Sequence, residues 1–249
     1  MGKLTGKVAL VAGGSNRIGL AAARRFAEHG AQVLITGPRR ERVDAAVAQI
    51  GHGAIGVVGV VGAGDDIAHH DAAVAELVRA HGGVDIYLAA AHVSTIVPVH
   101  SVLEAEYHGQ FADNARGLLY GIQRTTPAMR AGGAIVITGA VADELPAACR
   151  VVHAGARAAV LAFARVWADE LQARQIRVNV VSAHDAQASP EVIDHDRHAT
   201  PFPANRAVAC DSASARFEAL ADAALFLACD ASRFITGLHL RVGGGVSLL

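Results

Sequence analysis

The chain has 249 residues, 52% of them hydrophobic, a mean hydropathy of +0.33 and a formal net charge of −1, enough apolar material for the core of one large domain. A near-neutral balance with no basic block gives no electrostatic footing on nucleic acid, and no apolar run reaches the roughly 18 residues of a membrane span, so neither partner is expected. Three scattered cysteines (Cys149, Cys210 and Cys229) without metal-ligand spacing point to a reduced, cytoplasmic setting.

In chain order, short apolar runs alternate with longer stretches of helical period. The predicted strands are 7–12, 32–36, 54–61, 85–91, 134–139, 176–182 and 238–242, and the predicted helices 17–29, 40–50, 66–81, 103–130, 151–173 and 213–228. The strand runs are nearly continuous in apolar residues, as in parallel strands covered on both faces. Strand–helix alternation of this kind predicts an α/β fold, a single Rossmann-type, doubly wound parallel β-sheet flanked by helices on both faces, as one domain over 1–249. The first interesting turn is "VAGGSNRIGLAAARRF", where Gly13, Gly14 and Gly19 lie between a strand and a helix. Glycines there let backbone N–H groups approach a pyrophosphate at the helix N-terminus.

Past the second strand, "TGPRRERV" offers Arg39 and Arg40 and no acidic residue. Such a site suits the 2′-phosphate of NADP(H) better than the free ribose of NAD(H). Further on, "DDIAHHDAAVAELVRAHG" contains His69 and His70, two of thirteen histidines, both expected on a solvated helix surface. The segment "VVHAGARAAV" puts His153 and Arg157 at i and i+4, on one helical face. The least regular stretch, 184–211, is rich in Pro, Asp and His and is expected to be a substrate loop or lid near the ligand crevice.

The glycine loop resembles that of the short-chain dehydrogenase/reductase family, and the resemblance runs nearly end to end. The family's T-G-x-x-x-G-I-G stands here as Ala12-Gly13-Gly14-Ser15-Asn16-Arg17-Ile18-Gly19. The resemblance implies that Gly13, Ser15, Asn16, Arg17, Ile18 and Gly19 would cradle a dinucleotide, with Arg39 and Arg40 on its 2′-phosphate. Other family features are replaced. The N-N-A-G after the fourth strand is Ala89-Ala90-Ala91-His92, the P-G after the sixth is Ala183-His184, and the C-terminal V-D-G-G carries Gly243 for Asp.

The family's catalytic set is Asn, Ser, Tyr and Lys, in which tyrosine exchanges the hydroxyl proton, lysine lowers its pKa and serine orients the carbonyl. By the flanking pattern, Ala140 takes the serine position, His153 the tyrosine and Arg157 the lysine, and only Asn114 matches. The first expectation is therefore a non-catalytic subunit of a hetero-oligomeric NAD(P)-dependent alcohol or ketone dehydrogenase, hydroxyacyl and ketoacyl thioester dehydrogenases included. The second is an atypical NADP(H)-dependent oxidoreductase acting through His153, Arg157 and Asn114. The third is a small-molecule or metal-binding protein built on His92, His153 and His184, with Asp185 as a further ligand. The cofactor is NADP(H) or none. The family resemblance also implies homo- or hetero-oligomers through the helices near 103–130 and 151–173, with a catalytically intact chain of the same family as one possible partner.

Overall fold

The computed structural model describes residues 2–52, 54–58, 67–90, 97–140, 151–183 and 213–242. Seven parallel strands, β1 (Val8–Ala12), β2 (Gln32–Gly37), β3 (Ile55–Val58), β4 (Val84–Ala89), β5 (Met129–Ala140), β6 (Arg177–Ala183) and β7 (His239–Val242), form one sheet in the order β3-β2-β1-β4-β5-β6-β7. The order reverses between β1 and β4, and the C-terminal edge at such a switch point is where doubly wound sheets hold ligands.

Alternation along each strand sends side chains to both faces, which is why the runs are apolar throughout. On one face, Ala9, Val11, Val33, Ile35, Ile86, Leu88, Val136 and Val181 pack under α1 (Arg17–Glu28), α2 (Arg40–Ile50) and α7 (Ala213–Ala228). Phe26 of α1 is fully buried there, a contribution of roughly 1.5–3 kcal/mol. The other face, with Leu10, Leu34, Tyr87, Ile135, Ile137, Val178 and Val180, is covered by α3 (Ile67–His81), α5 (Gly117–Thr125) and α6 (Val151–Glu170). The sheet and both helical layers agree with the sequence-based fold.

Three expectations need correction. The long helix predicted over 103–130 is α4 (Glu104–Phe111), a π-helical turn at Ala112–Arg116, α5, and a short 3₁₀ turn at Thr126–Ala128. The chain becomes extended at Met129 rather than at residue 134 because Arg130 donates to Asp85 Oδ2 at 2.6 Å and to the His81 carbonyl, drawing β5 against β4 early. His70 is buried at 5% exposure and His69 is half-buried. Residues 70, 73 and 77 share the sheet-facing stripe of α3, whose period carries one histidine inward. Finally, α6 has the length and composition of a membrane-crossing helix, yet its stripe Val160, Ala164 and Ala168 packs on the sheet. In the single chain α6 buries that one face, and Val151 and Val166 are more than half exposed.

Candidate functional site

At the end of β1, Gly13 turns the chain with φ 82°, a left-handed conformation natural to glycine. Its N–H donates to Thr36 Oγ1 at 3.3 Å, tying the loop to β2. Gly19 is required by proximity, since a Cβ there would lie 2.3 Å from the Gly13 carbonyl oxygen. Asn16 caps α1, its Oδ1 accepting from the Gly19 N–H at 2.8 Å while its Nδ2 donates to the Ala90 carbonyl at 2.7 Å. One side chain thus closes the helix N-terminus and anchors it to the end of β4, across the switch point. Replacing Asn16 by Ala removes both bonds and is expected to lower stability by about 1–2 kcal/mol. Urea denaturation would read this as a lower midpoint with an unchanged slope.

This loop fits a dinucleotide phosphate: it is close-packed, starts at the N-terminus of α1, and that first turn contains no acidic side chain. Arg17, the first residue of α1, is exposed beside it. At the end of β2 a Cβ on Gly37 would lie 2.1 Å from Ser15 Oγ, so this strand end and the loop share one surface. Arg39 caps α2 in extended conformation and is exposed, without an ion pair among the described residues. Arg40, one position on, faces Asp44 at 3.7 Å. Of the two candidate 2′-phosphate cations, Arg39 is the one left uncommitted.

The chemical end lies on β5, the π turn and α6. Ala140 ends β5 and pairs in register with Ala183 of β6. Asn114 sits in the π turn, buried, its Nδ2 donating to the Gln110 carbonyl at 2.7 Å. Single π turns recur at functional positions. His153 (1% exposed) and Arg157 (7% exposed) lie on the stripe of α6 that continues through Val160 and Ala164 onto the sheet. Both are in the N-terminal half of α6, which packs against α4 near Phe111, 3.6 Å from where a Gly155 Cβ would be. Burial lowers the Arg157 pKa to about 10.

The fold therefore brings Asn114, His153 and Arg157 onto neighbouring elements on one face of the sheet. His92, His184 and Asp185, with the loop 184–211, lie outside the described residues, as does Gly243. Among the described residues no cluster of three His, Cys, Asp or Glu side chains is close enough to hold a metal ion. Sequence reasoning missed two polar groups in the C-terminal halves of the strands. Thr138 Oγ1 donates to the Ala89 carbonyl at 3.2 Å, and Ser182 Oγ lies 2.6 Å from His239 Nε2. Thr138 interrupts an otherwise apolar strand run, and that interruption is the signal that could have found it.

The family described as enoyl-(acyl carrier protein) reductase matches residues 12–247. An oxidoreductase of Sarocladium schorii, asL5, is 32% identical, with 98% of this chain and 97% of the relative covered. A solved structure described as a putative betaketoacyl-ACP reductase is 31% identical, covering 97% of this chain and 98% of its own, with a TM-score of 0.77. A dehydrogenase/reductase from Sinorhizobium meliloti 1021 is 26% identical with a TM-score of 0.82, over 98% of this chain and 96% of its own.

Proposed function

The chain belongs to the short-chain dehydrogenase/reductase family, and within it we propose a non-catalytic subunit that supports an NADP(H)-dependent partner acting on ketones or ketoacyl thioesters. The observation that carries this reading is the joint replacement at the chemical end, with Ala140, His153 and Arg157 where the family has serine, tyrosine and lysine. Alanine cannot hydrogen-bond a carbonyl, and arginine does not exchange protons near neutrality. The phosphate loop keeps its shape by contrast, with Asn16, Gly13 and Gly19 holding it although Ala12 and Arg17 replace the family's threonine and middle glycine. A bound NADP(H) would supply hydride. This chain's own residues bind and orient it: loop N–H groups and Arg17 on the pyrophosphate, Arg39 on the 2′-phosphate. The ketoacyl substrate class is suggested by the relative named as a betaketoacyl-ACP reductase.

Oligomer formation belongs to the same reading. Tyr107, Leu119, Val151 and Val166 are exposed on α4, α5 and α6, beside a groove of about 560 Å³ lined by Phe111, Ala115, Leu119 and Phe163. Exposed apolar side chains grouped around such a groove suit association with a like chain.

The test uses the purified chain with NADPH and acetoacetyl-CoA. It is expected to bind NADPH more tightly than NADH, to lose that preference in Arg39→Ala, and to show no turnover until a catalytic partner of the same family is added. Turnover by the chain alone at the 1–10³ s⁻¹ usual for enzymes overturns the subunit reading. In that case His153 is the residue to replace next, as the candidate acid–base group.

A further inference from the structure

Two arginines in this fold are buried to nearly the same extent, Arg157 at 7% and Arg177 at 8% exposure. Their surroundings are opposite. Arg177 donates through Nη1 to the Leu227 carbonyl at 2.7 Å and to Ser232 Oγ at 2.8 Å. Its Nη2 reaches the Cys229 carbonyl at 3.3 Å and the Ala228 carbonyl at 3.5 Å. Arg157 makes no hydrogen bond and no ion pair among the described residues. Its neighbours along the buried stripe of α6 are Ala156 and Val160. The described buried carboxylate, Asp85, lies near the N-terminal end of the central strand β4 and is already paired with Arg130.

A guanidinium without a partner among the described residues, reached only slightly by solvent, is suited to an anion. Uncompensated charge is disfavoured in a low-dielectric interior, and an arginine cannot escape by losing its proton near neutral pH. Its planar fork matches two oxygens of a carboxylate or phosphate. The position narrows the choice. Arg157 is in the second turn of α6, on its buried face. One buried cation balances one charge, whereas a phosphate dianion leaves an excess negative charge among apolar side chains. We propose that Arg157 anchors the carboxylate of a small aliphatic organic acid, so that the ligand of this site is an anion. This names a ligand class for the site assigned above and rests on that reading only for the site's location.

The test is thermal and calorimetric, with the purified chain and three sodium salts at equal ionic strength: butyrate, phosphate and chloride. Butyrate is expected to bind and raise the melting temperature above that in chloride. For a dissociation constant near 1 mM, 100 mM butyrate multiplies the folding equilibrium constant about 100-fold. Arg157→Met should melt cooperatively yet lose this response, and Arg157→Lys should keep it with affinity reduced about tenfold. The proposal is overturned if butyrate acts no differently from chloride, if Arg157→Met responds as the parent does, or if phosphate alone binds. Turnover of NADPH by the isolated chain would remove the subunit reading and leave the anion result standing, so the two failures are distinguishable.

Discussion

Replacing Arg157 by methionine is expected to stabilise the isolated chain, by up to about 3 kcal/mol. Burial lowers the guanidinium pKa from its ordinary, much higher value to about 10 in the folded chain. Between those values the unfolded chain holds more protons than the folded one, so stability rises with pH there. Below about pH 10 the full penalty of the buried cation is present, physiological pH included. Methionine keeps an unbranched stem of similar reach without the charge, and flexible apolar side chains fit irregular gaps. For a chain of this size each kcal/mol moves the melting temperature by roughly 2–4 °C. A urea melt at neutral pH checks this, and a lower midpoint in Arg157→Met would contradict it. The gain should shrink in saturating butyrate, because the ligand relieves the same charge in the parent.

The same substitution at Arg177 is expected to act in the opposite direction. Arg177 at the start of β6 holds the carbonyls that α7 leaves unpaired at its C-terminus, together with the Ser232 hydroxyl. A cation at a helix C-terminus is also favourable to the helix dipole. Burial lowers the Arg177 pKa, and the nearby Cys229 and Asp230 offset part of that effect. Methionine would remove the charged hydrogen bonds to the Leu227 and Cys229 carbonyls, which keep only Ser232 as donor, and to the Ala228 carbonyl, a loss of about 3 kcal/mol. Hydrogen exchange should show the last turn of α7 opening before its middle. Two arginines of equal burial thus answer one mutation with opposite signs. Burial alone does not decide the value of a charge; its partners do.

The fold was legible because the strand runs and amphipathic helices are dictated by local pattern. The helix over 213–228 and the start of the helix at residue 17 follow from apolar period, while the Asn16 cap at that start is seen only in the structure. The break in the long helix was hidden, since nothing in "HGQFADNARGLLYG" marks a π turn, and the early start of β5 depends on the distant Asp85. His70 was misplaced because adjacent polar residues suggest a wet surface, while the period of α3 turns one of them inward. At the site, the identities at positions 140, 153 and 157 were readable from the family pattern alone. The solitude of Arg157 was not, because only the packed chain shows which acceptors fail to reach it. The second bond of Asn16, to Ala90, is likewise a long-range fact.

The π turn at Ala112–Arg116 also fixes an angular phase. A π turn holds one residue more than an α turn, and each residue advances an α-helix by about 100°. Deleting one residue within the turn would restore regular winding and rotate α5 by that angle relative to α4. Leu118 and Ile122 now face the sheet, and the rotation would swing them off it. The π turn is thus a built-in phase correction that lets one continuous helix keep Asn114 buried near α6 while its downstream half stays seated on the sheet.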